Sequence, residues 1–114
     1  MTARLPLSGA AAALVAAALV ASPLSAARSE PDAAAKTRLT HLLVQDCGSC
    51  HGLTLRGGLG KPLLPETLAD RSAEVLAEII LDGIAGTPMP PWRGLITEDE
   101  ALFLAATLKR GLPQ

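Results

Sequence analysis

The residues best suited to chemistry lie together in one pentapeptide: Cys47, Gly48, Ser49, Cys50 and His51. Two thiols three residues apart project from one face of a helical turn, so both can reach the two vinyl groups on one edge of a porphyrin. The imidazole that follows can then bind the iron as its proximal ligand. A Cys-x-x-Cys-His sequence is the attachment signature of a c-type haem, so we expect one covalent haem c here.

Three other roles for Cys47 and Cys50 fit the sequence less well. A thioredoxin-type redox pair lies at a strand–helix junction in a βαβ pattern, and no alternating β-rich run precedes Cys47. A structural zinc site needs four ligands, and the candidates, the two cysteines with His51 and His41, lie in one short stretch. A simple disulfide would suit an exported protein but would leave His51 without a role.

Residues 1–27 have the pattern of a secretory signal peptide. A short positive region contains Arg4, residues 10–21 are an unbroken apolar run, and small residues lead up to Ala27. The apolar run is shorter than the roughly 20 residues that span a bilayer, which favours cleavage after Ala27 over an uncleaved membrane anchor. We therefore expect export to the periplasm, no membrane attachment after cleavage, a flexible lead over residues 28–35 and one domain over residues 36–114.

The composition limits the possible functions. The chain has 114 residues, enough for one domain, with 10 basic and 11 acidic side chains. No basic patch with interleaved aromatic residues is present in the sequence, so nucleic-acid binding has no support. Trp92 and Phe103 are the only aromatic residues, although aromatic side chains normally fill much of a small core. A porphyrin would supply the large apolar body that this core lacks.

Three amphipathic helices and no strand are predicted for the mature chain, which makes the fold class all-α with long loops. The first helix is capped near Asp32 and runs to about residues 44–46. The second is capped by Ser72, and the third by Thr97 in a capping box with Glu100. The apolar residues expected to face the core are Leu39, Leu42 and Leu43 in the first helix, Val75, Leu76, Ile79 and Ile80 in the second, and Leu102, Phe103 and Ala106 in the third.

A loop over residues 83–92 presents Met89, the only methionine that remains after cleavage, among three prolines that exclude helix and central strand. Such a rigid loop suits a soft sulfur ligand for haem iron better than a methionine that fills a gap in the core. His51 is used on the proximal side, and His41 lies on the same helix and is expected at the surface. Lysine is protonated at neutral pH because its reference pKa is about 10.4. We therefore predict Met89 as the second axial ligand.

These motifs, with a Gly- and Pro-rich loop that contains Pro62, resemble the small class I cytochromes c over nearly the whole mature chain. The resemblance implies three to four helices and long loops wrapped around one covalent haem. It implies that His51 and Met89 bind opposite faces of the iron, and that residues 39–44 pack against residues 102–108 where the terminal helices cross. It also implies that the Pro62 carbonyl accepts a hydrogen bond from the His51 ring, which fixes the ring orientation and raises its basicity.

Within this class, residues 45–52, 57–60 and 86–90 are most similar to the small periplasmic cytochrome c55X (NirC-type) proteins of denitrifying bacteria. That resemblance implies a monomeric periplasmic monohaem protein that is not an enzyme and passes single electrons to a redox partner, cytochrome cd1 nitrite reductase. Its alternative is an accessory role in maturation of the d1 haem of that reductase. A gas-binding haem sensor is a third interpretation, and it would require Met89 to dissociate from the iron.

Overall fold

The computed structural model describes residues 1–2 and 27–112, so most of the predicted signal peptide lies outside the described residues. The described part is helical, and its only β-type pairing is an isolated bridge between Arg93 and Ile96. The all-α prediction is therefore confirmed. The elements are α1 (Ala33–Leu42), a π-helical turn (Leu43–Cys47), α2 (Gly48–His51), a 3-10 turn (Pro65–Leu68), α3 (Ala73–Asp82) and α4 (Glu98–Arg110).

The first helical segment leads directly to the cysteine motif. It begins where Asp32 Oδ1 accepts a hydrogen bond from the Ala35 N–H at 2.8 Å, which satisfies one of the free donors of the first turn. The chain then stays helical through the π-helical turn and α2, beyond the predicted end near residues 44–46. It ends at Gly52, whose φ of +88° an L side chain rarely adopts. None of the described helices has the length and apolarity needed to cross a membrane.

The core is formed where α4 packs against both α1 and α3. Leu39 of α1, Leu43 of the π-helical turn, Leu81 of α3 and Leu104 of α4 are almost completely buried. The contact between α1 and α4 is the one that the resemblance to class I cytochromes c implies. It attaches to α4 the helical segment whose C-terminal end carries the cysteine motif.

The buried faces of α3 and α4 differ from the predicted ones. Val75 is 50 % exposed, whereas Ala77, which the predicted stripe omits, is buried. Leu102 and Phe103 are only partly buried. The faces of α3 and α4 that pack together include the buried alanines Ala77, Ala101 and Ala105, and small residues at such a contact allow two helices to pack closely. The residues of these helices that are buried in the core are Leu76, Ala77, Ile80, Leu81, Ala101, Leu104, Ala105 and Leu108.

The predicted helix caps are confirmed. Ser72 Oγ accepts a hydrogen bond from the Val75 N–H at 3.2 Å at the start of α3. At the start of α4, Thr97 Oγ1 accepts from the Glu100 N–H at 3.1 Å, and Glu100 Oε2 accepts from the Thr97 N–H at 2.9 Å. This reciprocal pair is the capping box that the sequence predicts.

Candidate functional site

The two cysteines lie at the C-terminal end of the first helical segment, and both are free thiols. Cys50 is exposed, whereas Cys47 is partly buried and packs against the core. Burial raises the pKa of the Cys47 thiol to about 11, and the nearby Asp46 carboxylate acts in the same direction. The two cysteines lie three positions apart, within about one turn of helix.

The ring of His51 is oriented by the backbone of the following loop. Its Nδ1 lies 2.6 Å from the carbonyl oxygen of Lys61. Because a carbonyl can only accept, Nδ1 must carry the proton, and the lone pair of the neutral imidazole is on Nε2. A hydrogen bond of this kind fixes the ring and raises the basicity of the other nitrogen. The structure thus presents Nε2 of His51 as a metal-binding nitrogen.

The prediction that Pro62 supplies this carbonyl is wrong by one residue. The Pro62 carbonyl accepts a hydrogen bond from Thr67 Oγ1 at 3.0 Å instead, and the Lys61 carbonyl faces the His51 ring. Pro62 still acts on the contact indirectly, since a residue that precedes proline is biased toward extended backbone. Which carbonyl meets the ring depends on the path of the whole loop, and the position of a proline does not determine that path.

Glycines let the same loop lie directly against the cysteine motif. The N–H groups of Gly57 and Gly60 donate to the carbonyls of His51 and Cys50, both at 2.8 Å. A Cβ atom at Gly60 would lie only 2.7 Å from Nδ1 and Cε1 of the His51 ring, so only glycine fits there without movement. The sequence predicts a glycine loop around a cofactor edge, but it does not single out Gly60 and Lys61 as the residues in contact with His51.

The loop that carries Met89 folds back onto the C-terminal end of α3. The Ile84 N–H donates to the Met89 carbonyl at 3.3 Å, and the Met89 N–H donates to Thr87 Oγ1 at 3.3 Å. The N–H groups of Trp92 and Arg93 both donate to the Leu81 carbonyl at 2.9 Å. Residues 83–92 are neither helix nor strand, and Met89 is partly buried within them.

The donor set fits a haem better than a structural metal ion. No group of three His, Cys, Asp or Glu side chains within the described ranges is placed to hold a metal ion, which leaves the zinc interpretation without support. The predicted surface position of His41 is confirmed, since its side chain is exposed. Two free thiols one turn apart, followed by an imidazole with a free Nε2, are the groups that a c-type haem needs on its proximal side.

Comparison with known proteins identifies the class. Residues 34–106 match the family described as cytochrome c oxidase, cbb3-type, subunit III. A solved structure of a c-type cytochrome NirC superposes with a TM-score of 0.68 at 51% identity, covering 70% of this chain and 94% of that one. The helical fold and the Cys-x-x-Cys-His turn are thus those of a c-type cytochrome, a protein with covalently bound haem c.

Relatives with similar sequences identify the family within the c-type cytochromes. Cytochrome c55X of Paracoccus denitrificans (strain Pd 1222) is 56% identical over 75 residues, which are 66% of this chain and 73% of the relative. Cytochrome c55X of Pseudomonas aeruginosa (strain PAO1) is 53% identical over 81 residues, 71% of this chain and 68% of the relative. The chain belongs to the cytochrome c55X (NirC-type) family. A dihydro-heme d1 dehydrogenase of the same Pseudomonas strain is 36% identical over 70 residues, 61% of this chain but only 14% of that larger protein.

Proposed function

We propose that the protein is a periplasmic electron carrier in which Cys47 and Cys50 hold the haem c, and His51 and Met89 bind the iron. The observation that carries the proposal is the hydrogen bond from His51 Nδ1 to the Lys61 carbonyl, because it leaves Nε2 free beside two free thiols. When bound, the haem supplies one-electron chemistry between ferric and ferrous iron. If His51 and Met89 both hold the iron, the chain would leave no coordination position for a substrate, and we therefore propose a redox partner and not an enzyme.

The two axial residues have opposite effects on the redox potential. The hydrogen bond to Lys61 makes the His51 imidazole a stronger donor, which would favour ferric iron in a bound haem. A methionine thioether favours ferrous iron and raises the potential. The Gly60 contact and the Lys61 carbonyl hold the imidazole in one orientation, so His51 would offer Nε2 to a haem iron without rearrangement of its ring.

The partner we propose is cytochrome cd1 nitrite reductase, to which the chain would pass single electrons. Support comes from the resemblance to the cytochrome c55X family and from relatives with that name. An accessory role in d1 haem maturation is the second candidate. It is favoured by the similarity to part of a protein named dihydro-heme d1 dehydrogenase.

One kinetic experiment separates the two roles. The purified ferrous holoprotein is mixed with oxidised cytochrome cd1 in a stopped-flow instrument, and its reoxidation is followed in the visible haem bands. Rapid, concentration-dependent electron transfer supports the electron carrier. No transfer, together with tight binding of free d1 haem in a spectral titration, would replace it with the maturation role.

We also propose an export signal over residues 1–27 and a single domain after it. Because α1 begins at Ala33, the lead before the domain would end at Asp32 and not at residue 35. Cleavage after Ala27 would give a mature chain that begins at Arg28, five residues before α1. Fractionation of the producing cells and N-terminal sequencing of the holoprotein test both points. A periplasmic protein that begins at Arg28 supports the proposal, and a membrane-bound protein with residues 1–27 intact contradicts it.

A further inference from the structure

The end of the loop that carries Met89 is joined to two helices at Arg93. The Arg93 N–H donates to the Leu81 carbonyl at 2.9 Å, and the Trp92 N–H donates to the same carbonyl at 2.9 Å. These donors satisfy a carbonyl at the C-terminal end of α3, where no further turn of helix supplies one. The backbone of Arg93 therefore attaches the end of the loop to α3.

The side chain of Arg93 adds contacts with three carboxylates. Its Nε donates to Asp82 Oδ1 at 2.7 Å, its Nη2 to Glu78 Oε2 at 3.2 Å and its Nη1 to Glu98 Oε1 at 3.3 Å. Glu78 and Asp82 belong to α3, and Glu98 is the first residue of α4. Arg93 is the only cation in the described part of the chain that pairs with more than one carboxylate.

We propose that Arg93 is a positioning residue that holds the Met89 loop closed across α3 and α4. The inference rests on the proposed function, because it takes Met89 as the iron ligand. A guanidinium can hold three acceptors in fixed directions, whereas the ammonium of lysine is a point charge. Without Arg93, three carboxylates at the meeting point of two helices would repel one another, and the end of the loop would be free to move.

The ion pairs of Arg93 can hold the Met89 loop although they are exposed to solvent. A single exposed ion pair contributes little to stability, and the Arg93 side chain is 47% exposed. The three ion pairs of Arg93 differ from a single pair, because the entropy cost of ordering the guanidinium is incurred once for all three contacts. The other described ion pair of α3 joins Glu74 to Arg28, and neither residue belongs to the Met89 loop, so this pair does not replace Arg93.

Exogenous imidazole measures how often the loop opens, since it binds the ferric iron only when the methionine has left. A methionine sulfur bound to ferric haem iron gives a charge-transfer band in the far red. The loss of this band during titration with imidazole gives the apparent affinity, which is compared in wild-type holoprotein, Arg93→Gln and Arg93→Lys. We expect Arg93→Gln to bind imidazole at least fivefold more tightly, which corresponds to about 1 kcal/mol of loop opening. Arg93→Lys should lie between Arg93→Gln and wild type.

The matched control is Arg38→Gln, which removes an ion pair between α1 and Glu100 of α4, away from the loop. Its imidazole affinity should stay within twofold of wild type. Equal affinities in Arg93→Gln and wild type, or the same increase in the control, would overturn the positioning role while leaving Met89 as the ligand. A wild-type protein without the far-red band would overturn the ligand assignment and the positioning role together, so the two failures are distinguishable.

A double-mutant cycle with Asp82→Asn tests whether Arg93 acts through its shortest described contact. If it does, the effects of Arg93→Gln and Asp82→Asn on imidazole affinity are less than multiplicative when combined. Fully multiplicative effects would contradict an action of Arg93 through Asp82.

Discussion

The proposed iron ligands His51 and Met89 are held in place by different means: a backbone-bonded loop packs against His51, whereas Met89 lies within a loop of its own. The loop after His51 touches the cysteine motif through backbone: two N–H groups bond to its carbonyls, the Lys61 carbonyl meets the ring, and Gly60 lies against it. The loop of Met89 is also tied by backbone to α3, but its outer end depends on the exposed charges around Arg93. Close backbone contacts are insensitive to salt and pH, whereas exposed charges respond to both. The His51 side should therefore be the constant side of the haem, and the Met89 side the adjustable one.

The largest effect, a loss of folding, is expected when the two thiols that attach the haem are removed. Cys47→Ala combined with Cys50→Ala should give a chain without covalent haem that is largely unfolded by circular dichroism. The binding free energy of the haem is lost, and its volume is left as a cavity. Ser49→Ala is the control, since it changes the same turn but keeps both thiols. A cooperative thermal melt of the haem-free double variant would show that the fold does not depend on the haem.

The next largest effect is expected from substitution of Met89, which changes one proposed iron ligand and leaves His51 in place. Met89→Ala should abolish the far-red band, lower the potential and let carbon monoxide bind the ferrous iron, because the thioether is lost while the imidazole stays fixed. Met89→His should keep a six-coordinate iron but also lower the potential, since imidazole favours ferric iron. Spectroscopy and redox titration measure these changes. An unchanged potential in Met89→Ala would mean that another residue is the ligand.

A smaller effect tests the close contact on the His51 side. In Gly60→Ala the new methyl group would lie 2.7 Å from two ring atoms of His51, so the ring or the loop must shift. Overpacking of this kind costs about 1–3 kcal/mol, to be measured by guanidinium unfolding of the holoprotein. The neighbouring Leu59→Ala is the control, because Leu59 is 95% exposed and should change stability by less than about 0.5 kcal/mol. Equal unfolding midpoints for Gly60→Ala and wild type would rule out the contact.

The smallest effect is the pH response of the Met89 side. The hydrogen bond from Arg93 lowers the pKa of Asp82 below its ordinary value of 3.8. A carboxyl with a lowered pKa stabilises the folded protein above its unfolded pKa, and this stabilisation is lost as the pH falls through the folded value. The stability difference between wild type and Asp82→Asn should therefore be present at pH 7 and shrink below about pH 4. Asp70→Asn, which removes an exposed carboxylate with no described ion pair, should show no such change.

Local features of the fold were predictable from sequence, because their causes lie within a few residues. Asp32, Ser72 and Thr97 cap the helices as predicted, since a cap bonds to an N–H only three residues away. The buried faces were less predictable, because packing partners decide which side of an amphipathic helix is covered. Thus Val75 is half exposed, whereas the small Ala77 is buried in the core.

The features of the site also differ in how far the sequence predicts them. The spacing of Cys47, Cys50 and His51 is local, and it predicted the class of cofactor. The acceptor for the His51 ring was placed at Pro62 instead of Lys61, because the direction of a carbonyl depends on the whole path of a glycine-rich loop. The contacts of Arg93 join residues of two helices, and no local pattern in the sequence brings them together.

The central claim is that the chain alone supplies both axial ligands to a single haem c. A crystal structure of the ferric holoprotein tests it most directly. The account predicts thioether bonds from Cys47 and Cys50, His51 Nε2 and Met89 Sδ on opposite sides of the iron, and the Lys61 carbonyl bonded to His51 Nδ1. Iron bound through His51 Nδ1, or a residue other than Met89 on the sixth position, would contradict it.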